Sequence, residues 1–454
     1  MKLTEIRKDI LEHNPELTQI LTVWGDFPIG DYYAKGIHGT SVPSVDILST
    51  IHTETKELLG GGVASRAKEA IEKDGWVNTA DHHGLLFHPY FFPSALIRSN
   101  PKINTSRCTV TLPFGGISLS NDSFPRGFAL HDAVGVLRRI IFKSLQEKHL
   151  PVYALDPITQ DVLKREQQRI SKIVFPLRTR DRLDALFFEF QKDERVWNQT
   201  TYSAQLTVMN SILWKVLFEE TRGDFVYLEI ETVVRNVLLN KHLARETSIY
   251  NLIFNPNWRE SFINLFSGVF GSHNPNGGSH LFWFIDHKKG RREGLRIVGN
   301  TLVTKDGQVS IELVPENITH LLKARVLMPT TALTLITLSG VEGLTCGGGL
   351  SQVHYLPNIL RQWKALLTQY GLPTHTIPSD IILSGDGTPF RFGEGETAPL
   401  AMLFDLIVNT KDIDEVIQHT IENVTLNEAI DALLPAFYAK KHHLSLPFLY
   451  EQTS

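Results

Sequence analysis

The segment TALTLITLSGVEGLTCGGGLSQVHYLPNILRQWKALLTQY, residues 331–370, has the clearest succession of strand, glycine-rich loop and helix patterns in the chain. Its run ALTLITL predicts a buried strand, because short apolar runs with β-branched residues are typical of sheet interiors. A helix over 357–370 follows, and DIILSG predicts the next strand. This alternation over 330–408 indicates an α/β or α+β fold, with a mixed sheet flanked by helices.

Elsewhere in the chain, the spacing of apolar residues changes twice. Apolar residues at helical spacing dominate 156–270, which predicts a largely helical insertion between an α/β portion at 1–155 and another at 271–454. Residues 281–313 alternate apolar and polar positions around two turn signals, which predicts a β-hairpin or meander. Two further elements are expected before residue 150: a buried strand at Arg107–Leu112 and a helix over 131–149.

Composition narrows the class of protein. The 454 residues include 45 basic and 49 acidic side chains, a near-balance without the basic excess typical of nucleic-acid binding. The only cysteines, Cys108 and Cys346, exclude a disulfide framework and favour a reducing compartment. No apolar run approaches the roughly 20 residues of a membrane-spanning helix. We therefore expect a soluble, cytoplasmic protein that binds neither nucleic acid nor membrane; its oligomeric state stays open.

The segment GWVNTADHHGLLFHPYFFP, residues 75–93, combines proton-transferring groups with aromatic residues. In an extended chain successive side chains alternate, so Asp81 and His83 would share a face and His82 would point away. We expect Asp81, His83 and His88 to be catalytic acid–base groups, because imidazole titrates near neutral pH. His82, His83 and His88 could also hold a divalent metal, Zn²⁺ or Fe²⁺. The alternative is that these are hydrogen-bonded histidines of an aromatic core.

Loops rich in glycine and polar residues supply the candidate substrate-binding groups. In PFGGISLSNDSFPRG, residues 113–127, glycines allow backbone N–H groups to face a ligand, and an arginine fork matches carboxylate or phosphate. The loop SGVEGLTCGGGLSQVHYLP, residues 339–357, precedes a helix and could bind an anion there. The candidates in these loops and in the later loop 384–399 are Ser118, Asn121, Arg126, Gly347, Gly348 and Arg391.

Each of these loops has a structural alternative. The loop 113–127 would be a surface loop with two turns. The loop 384–399 would be an exposed charged turn leading to a helix capped by Thr397. Glu394 and Glu396, two positions apart, could instead form a carboxylate pair. Cys346 could act as a nucleophile with His354 as its base, but a lone cysteine is more often a small buried residue.

Loops that follow strands meet at one edge of an α/β sheet, where active sites form. We therefore expect an enzyme that acts on a small polar or anionic substrate by His/Asp acid–base or metal-assisted chemistry. Hydrolase or lyase chemistry is favoured because the chain lacks the GxGxxG and GxxxxGK[ST] motifs. The alternative is a non-catalytic ligand-binding or scaffold protein. The enzyme hypothesis requires that 81–88, 115–126, 343–354 and 386–396 line one cavity.

Overall fold

A computed structural model describes residues 2–37, 39, 41–121, 123–218, 221–274, 277–392, 396–398, 402–410 and 412–441. This part of the chain has a mixed α/β fold in which helices flank a parallel sheet, as predicted. The strands of the described residues are β1 (Trp76–Asn78), β2 (Cys108–Thr111), β3 (Gly127–His131), β4 (Leu137–Ile141), β5 (Asp224–Tyr227), β6 (Phe282–Asp286), β7 (Arg291–Val298), β8 (Thr301–Thr304), β9 (Ser310–Glu312), β10 (Leu327–Pro329), β11 (Thr345–Gly348), β12 (Ile382–Leu383), β13 (Phe390–Phe392) and β14 (Glu396–Ala398).

The central sheet has five parallel strands in the order β12-β11-β1-β2-β5. The chain adds β2 and then β5 on one side of β1, and later adds β11 and β12 on the other side. This is a doubly wound arrangement whose direction changes between β1 and β11. At such a point the carboxyl ends of the strands leave a crevice in which ligands bind.

A second sheet is antiparallel, in the order β10-β6-β7-β8-β9, and its central part is the meander predicted for 281–313. Gly290 and Gly307 occupy the two predicted turns with φ of +63° and +70°, a conformation that glycine adopts without steric penalty. Arg292, from β7, links this sheet to the loop after β2 by donating to the carbonyl of Gly116.

The helices of the described residues begin and end largely where caps and apolar spacing predict. Asn14 accepts from the N–H of Leu17 ahead of a helix that begins at Pro15, and Thr425 forms a reciprocal capping box with Glu428. The helices are α1 (Leu3–Glu12), α2 (Pro15–Trp24), α3 (Ile29–Asp31), α4 (Val45–Leu59), α5 (Gly61–Asp74), α6 (Phe92–Arg98), α7 (Gln160–Ile170), α8 (Leu177–Lys192), α9 (Glu194–Trp197), α10 (Tyr202–Phe218), α11 (Ile230–Val237), α12 (Ser248–Phe254), α13 (Pro256–Leu265), α14 (Pro315–Lys323), α15 (Thr331–Leu335), α16 (Leu350–Gln369), α17 (Leu403–Asn409), α18 (Ile413–Asn423) and α19 (Leu426–Lys441).

The prediction of a strand at ALTLITL was wrong. The run forms α15 and a π-helical turn, Ile336–Val341, and Thr330 caps it by accepting from the N–H of Leu333. Every residue from 332 to 340 is buried, and a helix that is apolar on all sides has no periodicity to separate it from a buried strand. The strand at this place in the fold is β11, in the glycine-rich segment that was expected to be a loop.

The helix predicted over 131–149 was also wrong. Residues 127–141 form the antiparallel pair β3–β4. The side chain of Asp132 closes the turn between them by accepting from the N–H groups of Val134 and Val136. Gly135 completes the turn with φ of +78°. Local turn chemistry therefore outweighed the apolar spacing of 3–4 residues.

The predicted insertion at 156–270 is mainly helical, with α7 to α13 in order. It also contains β5, which pairs along its whole length with β2 at the edge of the central sheet. The mid-chain helical segment is thus joined to the α/β body through this strand. None of the helices in the described ranges combines the length and apolar character needed to cross a bilayer.

Candidate functional site

A cavity of about 290 Å³ lies beyond the carboxyl ends of β1 and β11, at the point where the winding of the sheet reverses. The segments that the sequence singled out all contribute to its lining: 81–88, 115–126, 343–354 and 386–396. Their contributions are His82 and His88, then Asn121 and Ser123, then Gly349, Leu350, Ser351 and Gln352, and finally Asp386. The chain therefore brings four distant loops together at one place.

Asn78, the last residue of β1, organises the polar floor beneath this cavity. Its side-chain N–H₂ group donates to Oδ1 of Asp81 at 3.1 Å and to Oγ of Ser94 at 3.0 Å. Its side-chain oxygen accepts from the N–H of Ala80 at 2.9 Å, a local turn that directs the chain away from the sheet. These bonds hold the carboxyl of Asp81 in a fully buried position.

Two buried carboxyl groups interact at this floor. Burial raises the pKa of Asp386 to about 7. Burial and then the charge of Asp386 raise the pKa of Asp81 well above its usual value. Two nearby carboxyls disfavour simultaneous ionisation, so the pair keeps a proton at pH values at which two isolated carboxyls would both be ionised. Because Asp386 also lines the cavity, it can exchange a proton with a bound molecule.

His82 lies at the wall of the cavity beside the loop after β2. Its Nδ1 lies 2.9 Å from Oδ1 of Asn121 and 3.3 Å from Oγ of Ser123. An amide oxygen can only accept, so Nδ1 carries the proton and Nε2 carries the lone pair. This tautomer suits His82 to act as a proton acceptor through Nε2.

His83 lies outside the cavity lining and is fully buried. Its ring packs against Tyr227 at the end of β5, with ring centroids 5.3 Å apart, and burial lowers its pKa to about 4. The hydrogen bond of Asp81 goes to Asn78 rather than to His83. Asp81 and His83 both contact Tyr227 and so share a face, as predicted, but this face is turned to the protein interior, and it is His82 that faces the cavity.

His88 lines the cavity with a buried ring, as part of an aromatic group with Tyr90 and Phe91. Its Nδ1 accepts from the N–H of Tyr90 at 3.2 Å. Burial lowers its pKa to about 3. His88 therefore contributes a neutral imidazole near pH 7.

The proposed metal set of His82, His83 and His88 is not assembled, because His83 points away from the other two. In the part of the chain that the structure describes, no three His, Cys, Asp or Glu side chains are placed to hold a metal ion together. These residues do not fit a Zn²⁺ or Fe²⁺ centre, and we derive no step through a metal.

The glycine loop after β2 uses its amide groups within the protein. The N–H groups of Gly115 and Gly116 donate to the carboxylate of Glu231 at 2.7 and 2.8 Å. A Cβ atom at Gly115 would lie 2.1 Å from Oε1 of Glu229, so only glycine fits there. The predicted anion cradle is therefore real, but its occupant is a side chain from α11.

Several other candidates lie away from the cavity. Ser118 is hydrogen-bonded to Ser120, with the two hydroxyl oxygens 3.0 Å apart at the surface. Nε of Arg126 donates to the carbonyl of Lys143 at 3.0 Å, which ties the loop to the end of the β3–β4 hairpin. Arg391 donates to the carbonyl of Asn423 and to Glu428, both at 2.9 Å. Their contacts are structural.

Gly347 and Gly348 pack against protein side chains. A Cβ atom on Gly347 would meet the ring of Trp76 at 2.6 Å, and one on Gly348 would meet Gln352 at 2.4 Å. Gly349 is the glycine that lines the cavity. Cys346 is buried in β11, burial raises its pKa to about 11, and His354 is exposed. Glu394 of the predicted carboxylate pair, and the side chain of Glu396, lie outside what the structure describes.

The sequence placed Asp386 in the candidate segment 386–396 but did not mark it as a catalytic residue. Asp386 directly follows the predicted strand DIILSG and sits between Gly385 and Gly387, a position at the carboxyl end of a strand that could have marked it. Gln352, Tyr355, Phe270 and Phe437 also line the cavity. They come from helices and a turn distant in sequence, and no local pattern connects them.

Comparison with models of known protein families gives no match. Comparison with curated protein sequences gives no match either. Any functional argument therefore depends on the geometry of the cavity itself.

Proposed function

We propose that this protein is an enzyme that carries out acid–base chemistry, of hydrolase or lyase type, on a small polar or anionic molecule bound in the cavity. The observation that carries the proposal is Asp386, a buried carboxyl with a pKa of about 7 at the topological switch of a doubly wound sheet. A group whose pKa matches the working pH is most effective as a general acid or base, and such perturbed groups concentrate at functional sites.

The roles follow from placement. Asp386 exchanges the proton with the bound molecule. Asp81 affects this exchange, because two adjacent buried carboxyls keep one another from ionising together. His82, oriented by Asn121, is the second proton carrier. His88 contributes a neutral polar group beside the aromatic part of the wall. His83 is a packing residue in this proposal, since its ring contacts Tyr227.

The test uses the purified full chain, incubated with a mixture of small metabolites and followed by mass spectrometry. We compare wild type with Asp386→Asn, and with Asp184→Asn as the matched control, because Asp184 is exposed on α8. A compound consumed by wild type and by the control, but not by Asp386→Asn, supports the proposal. A compound that is retained by wild type and released unchanged would instead support the non-catalytic ligand-binding alternative.

A further inference from the structure

The cavity has two oppositely charged poles that lie side by side. Helix α16 is 20 residues long and begins at Leu350, which lines the cavity together with Ser351. The first N–H groups of a helix lack intrahelical acceptors and carry partial positive charge. The cap residue is Gly349, which offers no side chain to satisfy them. One pole of the cavity is therefore an uncapped helix N-terminus suited to an anionic group.

The second pole is the carboxyl of Asp386. Its Oδ2 lies 3.2 Å from the position that a Cβ atom on Gly349 would occupy, so it adjoins the helix N-terminus. Asp386 is only 7% exposed, and its Oδ1 has no hydrogen-bond partner among the residues that the structure describes. Side-chain hydrogen bonds from Ser384, Ser94 and Asn78 favour the ionised form, but a buried carboxylate with one unpaired oxygen is still unfavourable, and a ligand cation would relieve that penalty.

Within the described residues, the counter-charges near this carboxyl are the partial positive charge of the helix N-terminus and one guanidinium. Arg98 is the cation that acts on it, but Arg98 also faces Asp74 at 4.0 Å. Burial raises the pKa values of Tyr33 and Tyr227, and it lowers that of His88 to about 3, so these groups are neutral near pH 7. The titratable or charged groups around Asp386 are Asp81, Arg98, Tyr33, Tyr227, His82 and His88.

The remaining wall is aromatic. Phe270 and Tyr355 stack with ring centroids 4.4 Å apart, and both line the cavity with Phe91 and Phe437. Phe270 is 58% exposed, so its ring is accessible to a molecule in the cavity. The volume of about 290 Å³ lies at the small end of ligand pockets, which span about 300 to 1,000 Å³.

We propose that this cavity binds an α-amino acid with an apolar side chain. The ammonium group contacts Asp386, the carboxylate accepts from the N–H groups of Leu350 and Ser351, and the side chain packs on the aromatic wall. An α-amino acid carries its ammonium and carboxylate groups on the same carbon atom, so the two charges lie side by side as the two poles require. The inference rests on the proposed function in that it names the substrate class of the same site.

The first experiment is calorimetric titration of the full chain at pH 8 with L-phenylalanine and with L-leucine. Phenethylamine, which lacks the carboxylate, and 3-phenylpropionate, which lacks the ammonium group, are the matched analogues. We expect one of the two amino acids to bind at least tenfold more tightly than either analogue. Equal binding of an analogue, or no binding by any of the compounds, would overturn the inference.

Variants then assign each pole. Asp386→Asn should weaken amino-acid binding at least tenfold, and Asp184→Asn should leave it unchanged. Leu350→Pro removes one N–H group at the first helical position, where proline is well tolerated, and Gly349 has the extended conformation that precedes proline. Leu350→Ala, the control, truncates the same side chain but keeps the N–H group. Binding that is weaker in Leu350→Pro than in Leu350→Ala supports the helix contact; equal binding refutes it.

The outcomes also separate this inference from the proposed function. If wild type consumes another compound in a manner that depends on Asp386 while both amino acids fail to bind, the substrate class is wrong and the enzyme proposal stands. If an amino acid binds as described but is released unchanged, and the metabolite mixture is not consumed, the site is correct and the enzyme proposal is wrong.

Discussion

Replacing Asp386 by asparagine should stabilise the folded protein while abolishing its function. The substitution keeps the size of the side chain but removes its ability to ionise. Because burial raises the pKa of Asp386 from 3.8 to about 7, the folded state binds this proton more tightly than the unfolded state does. Stability contributed by this group is therefore highest at low pH and falls as the pH rises from about 4 to about 7.

The magnitude follows from the same two pKa values. Each pKa unit corresponds to about 1.4 kcal/mol, so the raised pKa of Asp386 lowers the free energy of unfolding by about 4 kcal/mol at pH 8, and by about 1.5 to 2 kcal/mol at pH 5. Asp386→Asn removes this penalty. The gain in stability of the variant should thus be larger at pH 8 than at pH 5 by about 2.5 kcal/mol.

Urea unfolding followed by tryptophan fluorescence at pH 5 and pH 8 measures this difference. Asp184→Asn controls for the general effect of removing a carboxyl, and should show the same stability as wild type at both pH values. A variant that is less stable than wild type at pH 8, or whose stability gain does not change with pH, would refute the reasoning about the buried carboxyl.

Three further predictions concern neighbouring residues. His82→Ala should abolish turnover with little change in melting temperature, whereas His83→Ala should destabilise by about 2 kcal/mol through a core cavity and keep turnover; the reverse result would contradict the placement of the two rings. Arg126→Lys should keep ligand affinity and lose about 1 kcal/mol in urea unfolding, because one hydrogen bond to a carbonyl is lost. Burial raises the pKa of Glu231 to about 8, so Glu231→Gln is tested at pH 4, where the group is largely protonated in both states. There it should cost about 1 to 3 kcal/mol in urea unfolding, because an amide cannot accept from both glycine N–H groups; unchanged stability would show that they have another acceptor.

Local patterns in the sequence determined most helices and the meander. The helix caps near residues 15 and 425 depend on a side chain and a backbone group within a few positions of each other. They can therefore be recognised from the sequence alone. The meander over 281–313 is equally local, since its turns and its alternation lie within one stretch. Three of the segments that line the cavity were also recognisable from glycine and polar residues after predicted strands, although one of these strands is a helix. The fourth, 81–88, was recognisable from its Asp and His residues.

The tertiary structure decided the cases in which one local sequence pattern is compatible with two different structures. The run ALTLITL is buried on all sides, and its surroundings rather than its residues made it a helix. The glycines at 115 and 116 signal backbone groups turned outward, but only the fold brings Glu231 to them.

The candidate site depended on the fold in the same way. The alternation of side chains correctly placed His82 and His83 on opposite faces. The fold then decides which ring faces the cavity, because Asn121 contacts His82 and Tyr227 contacts His83. Asp386 is one of many acidic residues in the sequence. Its proton affinity comes from desolvation, and its charge in turn raises the pKa of Asp81, some 300 positions earlier in the chain. Burial and long-range charge are properties of the folded chain, and no sequence window contains them.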